Sequence, residues 1–96
     1  MSWKVTIRPQ ARTDVSKACV WYEEHGVGLG DEFLAALTEA LLRLEAGPER
    51  FPPYYRNFRR VLTHRFPHKI FFQIVDSDII IFRIQHGAQD HQRKLA

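Results

Sequence analysis

Cysteine occurs once in the 96 residues, as Cys19, so no disulfide can close within the chain. A second soft ligand is missing too, so no metal site is expected, and no cofactor motif is present. Cys19 falls on the apolar stripe of an expected helix, where a buried thiol is the default. Long hydrophobic runs are absent: the longest apolar stretches fall far short of the roughly 20 residues a membrane span needs. The opening "MSWKVTIRPQ" shows no apolar signal core and no cleavage motif. These absences lead to the expectation of a soluble, cytoplasmic protein without a membrane partner. Internal repeats and low-complexity segments are lacking. Charge of one sign is only slightly in excess, 14 Lys and Arg against 11 Asp and Glu, for a net charge of +3. That balance is compatible with a nucleic-acid or acidic-protein partner, but many small domains carry as much without meaning.

What is present is a globular composition, with 45% hydrophobic and 12% aromatic residues. The length allows one domain over 1–96, with one modest core. "WKVTIR" alternates, placing Trp3, Val5 and Ile7 on one face of a strand. Pro9 then opens a helix. Ala11, Val15, Ala18, Cys19 and Tyr22 draw its buried stripe, and Gly26 stops it. A second helix is expected from about Gly30 or Asp31 to Ala46. Asp31 and Glu32 sit at the positive end of its dipole. Leu34, Leu37, Leu41 and Leu44 form the expected packing seam. Together the two segments read as a helical hairpin.

"ERFPPYYRN" reads as a loop and "FRRVLTH" as a poorly alternating strand. "HKIFFQIV" and "IIIFRIQH" are strands joined by a tight turn at Asp76-Ser77-Asp78. If those three residues form the loop and the ladder is regular, Val75 faces Ile79 and Phe72 faces Phe82. Ile70, Phe72, Ile74, Ile80, Phe82 and Ile84 then make a core face. Lys69, Phe71, Gln73, Ile81, Arg83 and Gln85 make an open, mixed face. The expected fold is α+β, in the order β-α-α-β-β-β, with a helical hairpin packed on a mostly antiparallel twisted sheet.

Four stretches in order resemble the RelE/ParE toxin superfamily, and most nearly its ParE-like branch. "IRPQARTDVSKACVWYEEH" is similar to that family's first strand and helix. "LGDEFLAALTEALLRLEAGPERFP" is similar to the second helix and its exit. "RRVLTHRFPHKIFFQI" and "DIIIFRIQHGAQD" are similar to the later strands. The resemblance covers nearly the whole chain. It implies the toxin of a type II toxin–antitoxin (plasmid-stabilisation) module, neutralised by a cognate antitoxin whose extended segment lies against it. ParE members are described as poisons of DNA gyrase. The RelE branch cleaves messenger RNA on the ribosome without a metal, using basic residues on the last strands and a tyrosine or histidine near the C-terminus.

Cleavage of that kind needs groups to move protons and a cation to stabilise phosphate. Lys69 and Arg83 are the candidate cations, and His86 the acid or base. The C-terminal tyrosine is missing, because no tyrosine follows Tyr55. No carboxylate is clearly placed beside the bases, and Asp90 is a weak candidate. An inhibitor that acts by binding is therefore preferred to a nuclease, and a non-toxic module partner is a further alternative. Candidate residues for binding target or antitoxin are Arg59, Arg65, Lys69, Phe71, Arg83 and His86.

Each of these has a plainer reading. Arg83 can stack on Phe71 across the ladder. Lys69, Arg59 and Arg60 can be solvated charges. In the regular register His68 lies opposite His86, where strand-end solvation is preferred to a metal pair. The "HRFP" turn, Arg65 included, can be structural, with Phe66 capping the core. Trp21 and Tyr22 are expected to be packing anchors. Lys69, Phe71 and Arg83 together also read as a basic-plus-aromatic face of the kind that binds single strands.

Overall fold

A computed structural model describes residues 3–87 and Leu95. The chain begins with β1 (Lys4–Ile7). Pro9, which lacks a backbone donor, then stands at the first turn of α1 (Pro9–His25). Ala11 and Tyr22 are buried on α1, with Val15, Ala18 and Cys19 packed partly inside, so the expected stripe holds.

The turn to α2 (Leu29–Ala46) is set by Gly28, whose φ of 85° lies in the left-handed region. Glu23 fixes that turn by accepting the Gly28 and Gly30 N–H groups, each at 3.0 Å. These two bonds hold its carboxyl below the usual range. At Gly30 the helices approach so closely that a Cβ would lie 3.1 Å from the Cys19 carbonyl oxygen. The buried stripe of α2 is Gly30, Phe33, Leu37, Ala40 and Leu44. Leu37 and Leu44 of the expected seam are therefore inside, and Leu41 packs against the core, but Leu34 is 40% exposed. Phe33 takes its place, because the helix turns its larger ring toward Tyr22 and Phe66.

After a short 3₁₀ turn (Pro48–Arg50), the expected loop contains a short strand, β2 (Pro53–Tyr55). It precedes β3 (Phe58–Leu62), β4 (His68–Val75) and β5 (Asp78–His86). The sheet has five strands in the order β1-β5-β4-β3-β2, antiparallel except for β1 against β5. The helical hairpin on a mostly antiparallel sheet is the expected architecture, with β2 added.

The β4–β5 ladder departs from regular spacing in two places. Asp78 pairs with Val75, so the loop is only Asp76 and Ser77, and Asp76 takes a left-handed φ of 56°. A bulge then lets Phe72 pair with Ile81 while Phe71 pairs with Arg83. The two shifts cancel beyond the bulge, where Lys69–Gln85 and His68–His86 pair as expected. Before it, the faces are exchanged. Ile79 and Ile81, not Ile80 and Phe82, enter the main core with Ile70, Phe72 and Ile84. Phe82 joins Phe58, Phe71, Tyr54, Tyr55 and Leu95 on the other face. That face is consequently not open at Phe71, which is fully buried.

Candidate functional site

The bulge also decides where the expected cations go. Lys69 and Arg83 stay on the same side of the ladder as Phe71 by register. Arg83, however, neither stacks on Phe71 nor projects to solvent. Its Nε and Nη2 donate to Asp14 Oδ2 and Oδ1 at 2.8 and 2.9 Å, a bidentate pair. The side chains are only 21% and 12% exposed. Bonding to Asp14 raises the guanidinium's pKa further. Asp14 also accepts from the Ile84 N–H at 2.9 Å and the Gln85 amide at 3.1 Å.

The topology explains this convergence. β1 pairs with β5 only as far as Ile81, and Arg8 N–H closes onto the Ile81 carbonyl. Beyond that point the edge of β5 has no neighbouring strand among the described residues, and Asp14 of α1 satisfies it instead. The carboxylate beside the bases is thus Asp14, missed because it lies 69 residues away in the chain. Asp90 lies outside the described residues.

Next to this pair, α1 and the ends of β4 and β5 enclose a cleft of about 410 Å³. Asp14, Lys17, Ala18, Trp21, Tyr22, His68, Ile84 and His86 line it. The histidines meet as the register requires, with ring centroids 5.5 Å apart. His68 is not a solvated strand end. It is buried, with Nδ1 3.3 Å from the Tyr22 hydroxyl. Burial, and next the neighbouring His86, push its pKa down from 6.5 to about 4, so it is a neutral imidazole near pH 7. Burial likewise raises the Tyr22 hydroxyl. Tyr22 is the anchor expected of it, whereas Trp21 is 54% exposed and stacked on His25 at 3.7 Å. Cys19 is half-buried; burial, then the Asp31 charge, raise its thiol, leaving it a poor nucleophile. Among the described residues no group of three or more His, Cys, Asp or Glu is placed to hold a metal ion.

The remaining candidates disperse. Arg59 does not project: it donates to the Phe51 carbonyl at 2.6 Å and ties the 3₁₀ segment to β3. Arg65, at a left-handed φ of 72°, pairs with Glu32 at 2.5 Å, and Phe66 behind it is buried, so that turn is structural as well as basic.

A second concavity, of about 480 Å³, borders the β3 edge and includes Arg43, Tyr54, Arg60, Leu62 and His64. β2 pairs only with Phe58 and Arg59, so among the described residues no strand lies beside the β3 edge from Arg60 to Leu62. Thr63 N–H bonds back to His68 on β4, which turns the backbone of Arg60 and Leu62 outward. Arg60 lies 4.1 Å over the Tyr54 ring, and Arg8 lies 4.2 Å over Phe82. No helix among the described residues is long and apolar enough to cross a membrane.

A family model described as the ParE toxin of the type II toxin–antitoxin system parDE matches residues 5–91. No curated protein matches the chain by sequence. Among solved structures, the chromosomal ParDE toxin–antitoxin system of P. aeruginosa superposes with a TM-score of 0.76 at 17% identity, over 88% of this chain and 96% of that one. The RelBE2 toxin–antitoxin complex of Mycobacterium tuberculosis gives 0.65 at 22% identity, over 90% and 99%. A mutant of the E. coli toxin RelE in the free state gives 0.62 at 9% identity, over 97% and 92%. At these identities the structural likeness is one of fold.

Proposed function

The chain belongs to the ParE toxin family of type II toxin–antitoxin systems, and from that premise we propose that it acts by binding DNA gyrase and is held inactive by a cognate antitoxin. The family match over residues 5–91 carries the reading. The fold supplies a physical route for the antitoxin. The β3 edge, where the Leu62 carbonyl accepts from Arg43 Nη2 at 2.7 Å, can accept an extended segment as a sixth strand if that segment displaces Arg43, as peptides add to sheet edges elsewhere. Arg60 and Arg43 flank that edge, with exposed Leu62 between them. An antitoxin segment of alternating acidic and apolar residues matches this pattern, and charge complementarity speeds its association. The two solved neighbours described as toxin–antitoxin systems support a partner of that kind.

A second reading, a metal-independent ribonuclease of the RelE kind, is favoured by one observation: His68, His86 and Tyr22 meet in one cleft with Lys17 at its wall. Groups of this kind can shuttle protons and hold phosphate. Against it, Arg83 is committed to Asp14, and Lys69 lies on the other face of the sheet.

Expression without the antitoxin separates the readings. A gyrase poison arrests growth with broken DNA and intact message. A ribonuclease leaves cut message, and His86→Ala abolishes the cuts. Normal growth with stable antitoxin binding identifies a non-toxic module partner and overturns both.

A further inference from the structure

We propose that the cleft between α1 and the ends of β4 and β5 binds a small aromatic acid, a planar ring system carrying one carboxylate. The inference is independent of whether gyrase or the ribosome is the target. The volume of about 410 Å³ lies in the range of small-ligand pockets and exceeds the needs of a few waters. Its walls are apolar or aromatic: Ala18 and Ile84 on opposite elements, with Trp21, Tyr22 and the His86 ring between them. A planar ring buries both faces against such walls and leaves no polar group without a partner.

The charge of the site selects the sign of the ligand. Asp14 is the only carboxylate among the described lining residues, and four donor contacts already occupy it, two from the Arg83 guanidinium. Among the described residues a cationic ligand therefore meets no uncommitted carboxylate. Lys17, exposed on α1, has no salt bridge among the described residues and brings a positive charge to the cleft wall. A ligand carboxylate exchanges water for that ammonium at the mouth, where neither group is fully desolvated. His68 offers a buried neutral imidazole, held by Tyr22, and so adds no competing charge at neutral pH.

The test is an NMR titration of the whole ¹⁵N-labelled chain with 2-naphthoate, and in parallel with its neutral analogue 2-naphthylmethanol. Expected is a saturable 1:1 response at the Trp21 indole N–H and at the amides of Lys17, Ile84 and His86. The Trp3 indole, partly buried against the main core, stays still. The acid binds about fivefold more tightly than the alcohol, as one exposed ion pair allows. Lys17→Gln, at an exposed position that cannot unfold the chain, removes that preference, while Lys4→Gln on β1 leaves it. Ala18→Leu, which narrows the cleft, weakens both ligands together. The proposal fails if neither ligand saturates at millimolar concentration, or if the responding residues lie elsewhere. Equal affinity for acid and alcohol in the unmodified chain, or a preference that survives Lys17→Gln, also overturns it.

Discussion

Phe71 and Phe72 are neighbours in the chain, on opposite faces of one strand, and both are fully buried. Phe72 lies under the helical hairpin with Leu37, Leu44 and Ile81, its ring nearly perpendicular to that of Phe51. Phe71 lies on the face away from the helical hairpin, clustered with Phe58 and Leu95 and 5.6 Å from the Tyr54 ring. The first environment is rigid layer packing. The second is a thinner aromatic cover whose outer members lie beneath arginines. The face away from the hairpin is thus covered by bulky rings, by Leu95 and by long cationic side chains. The quickest way to break the comparison is truncation. Phe72→Ala should cost about 3–5 kcal/mol in urea unfolding, because the helices cannot collapse into the hole. Phe71→Ala should cost about 2–3 kcal/mol, because the aromatic cover can settle. Equal losses would show that the second face is packed as rigidly as the first.

Asp14 joins the two regions, since it projects from the helical layer and grips Arg83, which originates on the other side of the ladder. Asp14→Ala leaves a partly buried guanidinium and the Ile84 N–H without their acceptor, at a cost of about 2–4 kcal/mol. Arg83→Met should cost less, because it leaves Asp14 two donors. In the Arg83→Met background the loss on Asp14→Ala should shrink by on the order of 1–2 kcal/mol. Additive losses in this double-mutant cycle would mean that the pair is geometric only.

The elements of this fold were largely legible because each follows from a local pattern. Pro9 and Gly26 bound α1, and the period-two runs gave β1, β4 and β5. Long-range consequences were not. β2 hid in a proline-rich stretch with only three residues to alternate. The bulge hid because Ile79, Ile80, Ile81 and Phe82 are all apolar, so no contrast marks which of them face the helices. The site was half legible. The His68–His86 pairing survived because the shortened turn and the bulge offset one another. Asp14 was invisible as a partner of Arg83, since only the early end of β1 brings α1 against the bare edge of β5. The candidate list therefore mixed residues that hold the fold, such as Arg59 and Arg83, with residues left to a partner.

Protonation sharpens the comparison from the helical side. His68 titrates near 4 in the folded chain and near 6.5 when unfolded. Between those values the unfolded chain binds a proton that the folded one refuses, so stability is complete above about pH 6.5 and declines as pH falls toward 4. The loss approaches roughly 2–3 kcal/mol, from the size of the shift. Tyr22, His86 and Asp14 are the groups that face this ring. Unfolding of the parent and of His68→Phe should be compared at each pH, so that carboxylates common to both cancel. The variant should lose the slope between pH 6.5 and 4; parallel curves would place the acid sensitivity elsewhere.

The smallest stability effects are expected on the other face, and they separate folding from binding. Lys69→Gln should change stability by no more than about 0.5 kcal/mol, as partly exposed charges usually do. Arg60→Gln should cost at most about 1 kcal/mol for its contact with Tyr54. If the β3 edge receives an acidic antitoxin strand, however, Arg60→Gln should slow association several-fold at low salt, with the difference fading as salt screens it. Lys69 pairs with Gln85 and Leu62 in the interior of the sheet, away from that edge, so Lys69→Gln should leave the rate nearly unchanged. Stopped-flow mixing with the purified antitoxin at two ionic strengths reads this directly. A rate that responds to Lys69 and not to Arg60 would move the docking surface from the strand edge to the sheet face.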